Sequence, residues 1–561
     1  MAPRTDSGLK VLPPQPENAD EQTPLLGEQN GQEEANLEAQ AAEEQREYDA
    51  GHVPLADEPS TGKLLLTMSS LWVCTFFAAL DATIVATLSG PITSEFASGT
   101  LYAWIASGYL ISNACFQPLS GKLTDIYGRR AGLIFASSFF ALGTLICGLA
   151  AEGWVMILGR VVAGSGGGCL NTVSVFVASD LVPLRKRGVW QGMGNIVFGT
   201  GMGLGGVFGG YIHDTLGWRW AFYIQVPFIV LGGIWGCICI KVPVKETEDA
   251  KIKRVDFLGA FTLVAGLVVL LLGLNSGGNI VPWNHPLVYV SLPASVVILC
   301  IFVYVEDRIS TEPVIPVRLL GNISVMAACL TNWFMTMSVF ALIYYGPIYF
   351  QVVRGVSPTR AGTLFVPQSA GTAIGSLCSG ILLRATGKYR LLNIAVQVLN
   401  LAAGAAILAT FNANTPDATP FIFLFMGGVA YGSMLTITLI ALIAAVDHKY
   451  QAVITSASYA FRSTGSSIGI AVASAVFQNI LKTRLYNRFG GLPGAADEIR
   501  RIRDSIDEIH RVPKGWHSGV IESHVEALRG VWVVVLGFAI LASIASLFIR
   551  QHKLYSNLER K

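Results

Sequence analysis

The sequence predicts an all-α integral membrane protein with about fourteen transmembrane helices. Three observations carry that expectation. Of its 561 residues 52% are hydrophobic and 14% charged, against roughly 25% charged in a soluble domain, and the mean hydropathy is +0.52. From Leu64 onward, apolar stretches recur at about the twenty residues that a helix rising 1.5 Å per residue needs to cross roughly 30 Å of hydrocarbon. A charged hinge, GKLTDIYGRR from Gly121 to Arg130, separates two such stretches. It returns in looser form as GILLRATGKYR, aligning Gly380 with Gly121, Arg384 with Asp125, Gly387 with Gly128 and Lys388 with Arg129. Such repetition of a polar hinge between apolar helices points to two homologous membrane halves, with small-molecule binding between them.

Composition excludes several function classes. A net charge of +2, with Lys and Arg gathered in short loops, gives no basic face for nucleic acid. The nine cysteines fall inside apolar stretches, without CxxC and without His at ligand spacing, so they read as packing residues and no metal or other cofactor is expected. HExxH does not occur and no His and carboxylates cluster, which argues against a membrane enzyme.

In chain order, residues 1–61 are rich in Glu, Gln, Pro and Ala and read as a disordered cytosolic tail. No basic start and apolar core of a cleavable signal peptide is present, so the first membrane helix is expected to target the protein. Within the tail, Glu21, Leu25 and Leu26 in EQTPLL have the spacing of an acidic dileucine signal that a sorting adaptor reads; chance in a low-complexity tail is the other reading. Six spans, at about 64–88, 101–120, 131–151, 155–182, 189–212 and 219–240, build a first bundle over residues 62–240. Two more, at about 255–275 and 286–305, form an insertion over residues 241–324. A second six, at about 325–350, 361–383, 391–411, 420–446, 452–480 and 530–550, build a bundle over residues 325–550, with a lumenal loop at 481–529 and a cytosolic tail at 551–561. Basic residues in alternate loops, among them Lys122, Arg129, Arg130, Arg185, Lys186, Arg187 and Lys388, make those loops cytosolic. In the outer loop Ile499, Ile502, Ile506 and Ile509 recur at three- and four-residue steps, an amphipathic helix suited to capping the outer mouth.

Asp81, in FFAALDATIVATLSGPI, lies deep in the first span, where a carboxylate costs roughly 2.5 to 3.5 kcal/mol unless protonated, paired or facing water. It is the expected proton site, with a structural helix-end acid as the alternative. Arg160, in ILGRVVAGSGGGCLN, is the matching intramembrane cation; it either tunes a nearby acid or snorkels to the outer surface. GNIVFGTGMGLGGVFGG carries a GxGxxG without any strand before it, so the dinucleotide reading fails. Its GxxxG pairs, Gly201 with Gly205 and Gly205 with Gly209, instead make a smooth face for close helix packing, and Gly210 belongs to the same glycine helix. Polar residues on apolar helices, Asn113, Gln117, Asn171, Asn332 and Tyr345, are cavity candidates, each equally readable as an interhelical hydrogen bond.

These motifs resemble the major facilitator superfamily, in its fourteen-helix drug and proton antiporter branch, from Leu64 to about Arg550. The hinge at Gly121 to Arg130, LDATIVATLSGPI, the fourth-span arginine motif at Gly159 to Gly168, GWRWAFYIQVP and YYGPIYFQVVRGVSPTRAGTLFVP carry the resemblance. It implies a major facilitator fold with a six plus two plus six arrangement and an antiporter role for the glycine helix. It further implies a cytosolic gate in which Asp125 and Arg129 hold the inner side closed, Arg129 reaching Asp180. EQTPLL and TIVATLSGPI look most like fungal vacuolar transporters of basic amino acids. The implied function is proton-coupled antiport of amino acids from the cytosol into the vacuole, by a protein in contact with substrate, protons and the lipid bilayer. A plasma-membrane multidrug or toxin antiporter is the alternative, and a nutrient sensor that has lost transport is a third reading.

Overall fold

The computed structural model describes residues 61–96, 101–181, 184–240, 256–277, 281–310, 317–412, 415–416, 418–446, 451–504, 507–513 and 515–552. Glu21, Leu25 and Leu26 lie outside them. The described chain is helical throughout, with one isolated bridge between Gly277 and Val281. The helices are α1 (Thr61–Glu95), α2 (Leu101–Tyr127), α3 (Arg129–Leu149), α4 (Gly153–Leu181), α5 (Leu184–Leu216), α6 (Trp218–Tyr223), α7 (Gln225–Cys239), α8 (Phe257–Ser276) and α9 (Pro286–Arg308). They are followed by α10 (Val317–Leu320), α11 (Ile323–Ile348), α12 (Pro358–Thr386), α13 (Arg390–Thr410), α14 (Ala418–Ala445), α15 (Gln451–Phe489), α16 (Ala495–Asp504) and α17 (His517–Leu547).

Among the described residues ten helices are long and apolar enough to cross a membrane. They lie in α1, α3, α4, the continuous run α6 to α7, α9, α11, α13, α14, α15 and α17. The other four long helices, α2, α5, α8 and α12, have 27, 33, 20 and 29 residues. Three of them, α2, α5 and α12, carry the hinge, glycine-rich and polar stretches that lower their mean hydropathy. Exposed apolar side chains such as Leu142, Ile234, Val296, Val398 and Ile544 stand on α3, α7, α9, α13 and α17, as expected where the solvent is lipid.

Helix α4 packs on α2 and α3, α1 on α5 and α7, and α3 on α7. In the second half of the chain α11 packs on α15 and α17, α14 on α12 and α13, and α13 on α17. These two groups meet along two seams, α2 against α15 and α5 against α12. Helices α8 and α9 pair with each other, and α8 leans on α2 and α15.

The hinge takes a sharper form than the sequence suggests. Helix α2 continues through Gly121 to Tyr127, and the chain breaks only at Gly128, whose φ of 93° is open to glycine. Its counterpart Gly387, at φ 64°, closes α12 as a left-handed cap, its N–H donating to the Leu383 carbonyl. The loop expected at 481–529 is largely helical: α15 runs on to Phe489 and α17 begins at His517. Between them Ile499, Ile502 and Ile509 are buried, so the apolar stripe packs inward while Ile506 lies outside the described residues.

Candidate functional site

Asp81 and Arg160, 79 residues apart, meet in the interior: Arg160 Nη1 donates to Asp81 Oδ2 at 2.5 Å and both side chains are 0% exposed. Arg160 therefore does not snorkel to the surface. Its guanidinium also lies 4.2 Å from the centre of the Tyr109 ring, a cation–π contact strengthened by exclusion of water. Tyr344 of α11 and Cys147 of α3 are within electrostatic reach of Arg160. Asp81 Oδ1 and Arg160 Nε and Nη2 have no hydrogen-bond partner among the described residues. The pair is thus joined through one bond, with acceptor and donor capacity left over.

The sequence places the pair by letting helices approach at backbone distance. In GSGGG of α4, a Cβ on Gly164 would clash with the Tyr109 carbonyl, and one on Gly168 would stand 2.7 Å from the Asn113 carbonyl oxygen. One on Gly166 would run into the Phe140 backbone of α3. Ser112 Oγ donates to the Val161 carbonyl at 2.6 Å and lies 2.7 Å from Ser165 Oγ, tying α2 to α4 one turn from Arg160. The α5 glycines divide between two partners. Gly201, Gly205 and Gly209 face α1, where a Cβ on Gly201 would lie 2.5 Å from the Phe76 carbonyl oxygen and one on Gly205 would strike Thr83 and Leu80. Gly210 lies about 100° around the helix and faces α12, where its added Cβ would meet Thr359 Cα at 2.5 Å, while one on Gly206 would stand 3.1 Å both from Gly362 Cα of α12 and from Thr87 Oγ1 of α1. Helix α5 thus packs closely on both α1 and α12.

Polar side chains bridge the seams. Ser463 Oγ of α15 lies 3.1 Å from Asn113 Oδ1 and 2.9 Å from Gln117 Oε1 of α2. Asn195 Nδ2 of α5 donates to Ser376 Oγ of α12 at 3.1 Å. Asn332 stays within the second half, its amide donating to the Ala328 carbonyl at 2.9 Å and lying 3.4 Å from Ser458 Oγ. Tyr345 is buried against Phe477 at 5.2 Å between ring centres, and its neighbour Tyr344 is buried as well. Asn171 is half-buried on α4. A narrow cleft opens between the seams, lined by Thr83 and Thr87 of α1, Pro347 of α11, Phe365 and Gln368 of α12 and Tyr431 of α14. Gln368 Oε1 is buried there without a partner among the described residues.

At the hinge Arg129 Nη1 donates to Thr124 Oγ1 at 3.1 Å and its guanidinium lies 5.0 Å from the Phe176 ring of α4. That ring is one turn before Asp180 on α4. The side chains of Asp125 and Asp180 lie outside the described residues. Arg130 is exposed and reaches the Cys237 thiol of α7. At the opposite end, Glu95 accepts from Trp218 Nε1 and pairs with Arg219 at 2.7 Å. Burial opposes ionisation of Glu95, but those two partners prevail and hold its carboxyl below the usual range. The GWRW stretch is therefore a clasp on the end of α1.

One residue was overlooked in the sequence. Arg462 lies in the membrane-length span Ala457–Phe489 of α15, another charge carried by such a span beside Asp81 and Arg160.

Comparison with known proteins bears on the family and the fold. The model of the Major Facilitator Superfamily matches residues 71–470. "Multidrug resistance protein fnx1" of Schizosaccharomyces pombe is 39% identical over 498 residues, covering 88% of this chain and 94% of that protein. "Vacuolar membrane amino acid uptake transporter fnx2" of the same organism is 31% identical, covering 88% and 86%. "Vacuolar basic amino acid transporter 1" of Saccharomyces cerevisiae is 32% identical, covering 82% and 84%. Among solved structures, a bacterial homologue of the human lysosomal transporter Spinster, inward-facing and occupied, superposes with a TM-score of 0.59 at 17% identity, covering 88% of this chain and 97% of that one. At that identity the likeness concerns the fold.

Proposed function

Since the chain belongs to the major facilitator superfamily and is a multi-pass membrane transporter of small molecules, we propose that it exchanges protons for amino acids, basic ones foremost, moving them from the cytosol into the vacuole. The observation that carries the proton part is the Asp81–Arg160 pair at 2.5 Å with neither side chain exposed. A proton and the guanidinium compete for one carboxylate. When Asp81 is protonated the ion pair is lost, α1 and α4 lose their charged contact, and the packing that holds one state of the bundle weakens. Arg160 keeps its proton throughout, so it acts as the counter-charge and Asp81 as the carrier.

In this reading α2, α5, α8 and α12 cross the membrane with the ten apolar helices, giving six spans in residues 62–240, two in 241–324 and six in 325–550. The two six-helix groups rock about the α2–α15 and α5–α12 seams, with substrate near the midplane. Gly201, Gly205 and Gly209 let α5 slide on α1, and Gly206 and Gly210 let it slide on α12. The hinge of Gly121, Asp125, Gly128, Arg129 and Arg130, with Asp180, closes the cytosolic side. Asn113, Gln117, Asn171, Asn332 and Tyr345 supply polar groups about the path. Glu21, Leu25 and Leu26 form the vacuolar sorting signal that an adaptor reads. The reading includes neither an enzymatic step nor a cofactor.

Amino-acid cargo is supported by two relatives named as vacuolar amino-acid transporters. The second reading, a plasma-membrane multidrug antiporter, is favoured by the 39% identity to a protein named for multidrug resistance. Uptake of labelled lysine, arginine and cationic drugs into vacuolar vesicles, with and without an acid interior, separates them: gradient-dependent amino-acid uptake supports the first reading, and drug accumulation alone supports the second.

A further inference from the structure

Arg462 stands in the angle between the two halves. Its neighbour Ser463 bonds Asn113 and Gln117 of α2. On its own face of α15, Ser458 one turn before touches Asn332 of α11, and Gly465 one turn after packs on Trp333 and Thr336 of α11. Arg462 itself is half-buried, with its guanidinium 5.0 Å from the Tyr459 ring. Its Nε is buried without a hydrogen-bond partner, and no carboxylate pairs with it among the described residues. The contrast with Arg160, neutralised by Asp81, is direct. Six residues of α2 separate Tyr109 from the level of Ser463, so Arg462 lies roughly 9 Å along the bundle from the Asp81 pair, on its cytosolic side.

An arginine inside a membrane span is expensive to leave without a counter-charge. A guanidinium offers a planar fork that fits a carboxylate through two parallel N–H···O bonds. The hydroxyl and amide groups of Ser463, Asn113 and Gln117 next to it are uncharged and cannot neutralise it. We propose that Arg462 is the group that receives the α-carboxylate of the cargo. This assignment rests on the amino-acid reading above and deepens it. A cationic drug without a carboxylate would bring a second positive charge against Arg462, whereas an amino acid brings the missing negative one. The side chain thus selects amino acids over cations of similar size, at the point where cargo enters from the cytosol.

The test compares arginine with agmatine, which is arginine without its carboxylate, and lysine with cadaverine, on the purified full-length protein by ligand-induced thermal shift and in vesicles by uptake. The wild-type protein should bind arginine and lysine about 10- to 100-fold more tightly than agmatine and cadaverine, the span expected for a charge-assisted pair. R462Q should erase that preference, weakening the amino acids to the level of the amines while leaving agmatine unweakened; R462K should restore part of it, which a merely structural role would not do. Equal binding of arginine and agmatine to the wild-type protein would overturn the assignment while sparing the amino-acid reading. So would R462Q that folds with wild-type stability and keeps its preference. Failure of the wild-type protein to bind any amino acid, with tight binding of cationic drugs, would instead remove the reading beneath it.

Discussion

Replacing Asp81 by Asn removes the charge that neutralises Arg160 while preserving the shape of the side chain. Both groups are wholly buried and joined at 2.5 Å, and Arg160 Nε and Nη2 have no other partner among the described residues. What remains for the guanidinium is the Tyr109 ring at 4.2 Å, a contact of about 2 kcal/mol when desolvated. Breaking a buried pair from one side costs about 3–5 kcal/mol, chiefly because a charge is left unpaired. The double variant D81N/R160Q is neutral and should recover most of that loss. Thermal and denaturant unfolding of the four proteins of this cycle in detergent should give a coupling energy of at least about 2 kcal/mol. Uptake against a gradient should be absent in D81N and in the double variant alike, since neither can carry the proton. Additive losses, with coupling under about 0.5 kcal/mol, would refute the reasoning: Asp81 and Arg160 would then contribute separately, and competition between proton and guanidinium would have no basis.

Three further outcomes are expected. Gly205→Ala, whose methyl would strike Thr83 and Leu80 of α1, should destabilise by about 1–3 kcal/mol, whereas Gly427→Ala, with nothing within 4 Å, should be neutral; equal melting temperatures for the two would show that α5 yields more readily than its contacts imply. Glu95 is ionised more easily when folded, so its clasp stabilises above the ordinary carboxylate range and fades as pH falls through it. Partial exposure limits that contribution to less than about 1 kcal/mol, so Glu95→Gln should melt slightly earlier than wild type at pH 7, and the difference should fade as pH falls below the ordinary carboxylate range and through the lowered folded-state value; a difference that grows in acid would contradict the sign. Arg129→Ala should open the cytosolic side, exposing a thiol introduced by Asn113→Cys to a cytosolic maleimide once the exposed Cys300 and Cys378 are replaced. Unchanged labelling with normal uptake would reduce the hinge to a topological anchor.

The membrane class and the principal motif residues were legible from local evidence alone, because apolar length and intramembrane charge are properties of single stretches. Asp81 and Arg160 each stood out for the cost of a charge in hydrocarbon, but their pairing joins helices 79 residues apart and depends on GSGGG of α4 admitting α2 and α3 at backbone distance. Helical faces were harder. Gly201, Gly205 and Gly209 are four residues apart and share the face toward α1, while Gly210 sits about 100° around the helix and meets α12. Tyr344 and Tyr345 are adjacent and equally apolar in setting, so only packing decides that it is Tyr345 that meets Phe477. Helix ends misled for a different reason: α15 extends to Phe489 through a polar stretch in which Arg484 and Arg488 pair with Glu526 of α17, a contact that no hydropathy window registers.

The central claim, an amino acid moved in exchange for protons through Asp81, is tested most directly by arginine uptake into proteoliposomes of the purified protein under an imposed pH gradient. The account predicts accumulation inside vesicles with an acid lumen, collapse of that accumulation on adding a protonophore, and no accumulation by D81N of normal abundance and orientation. Arginine entering equally with and without the gradient, or accumulating in D81N as in wild type, would contradict it.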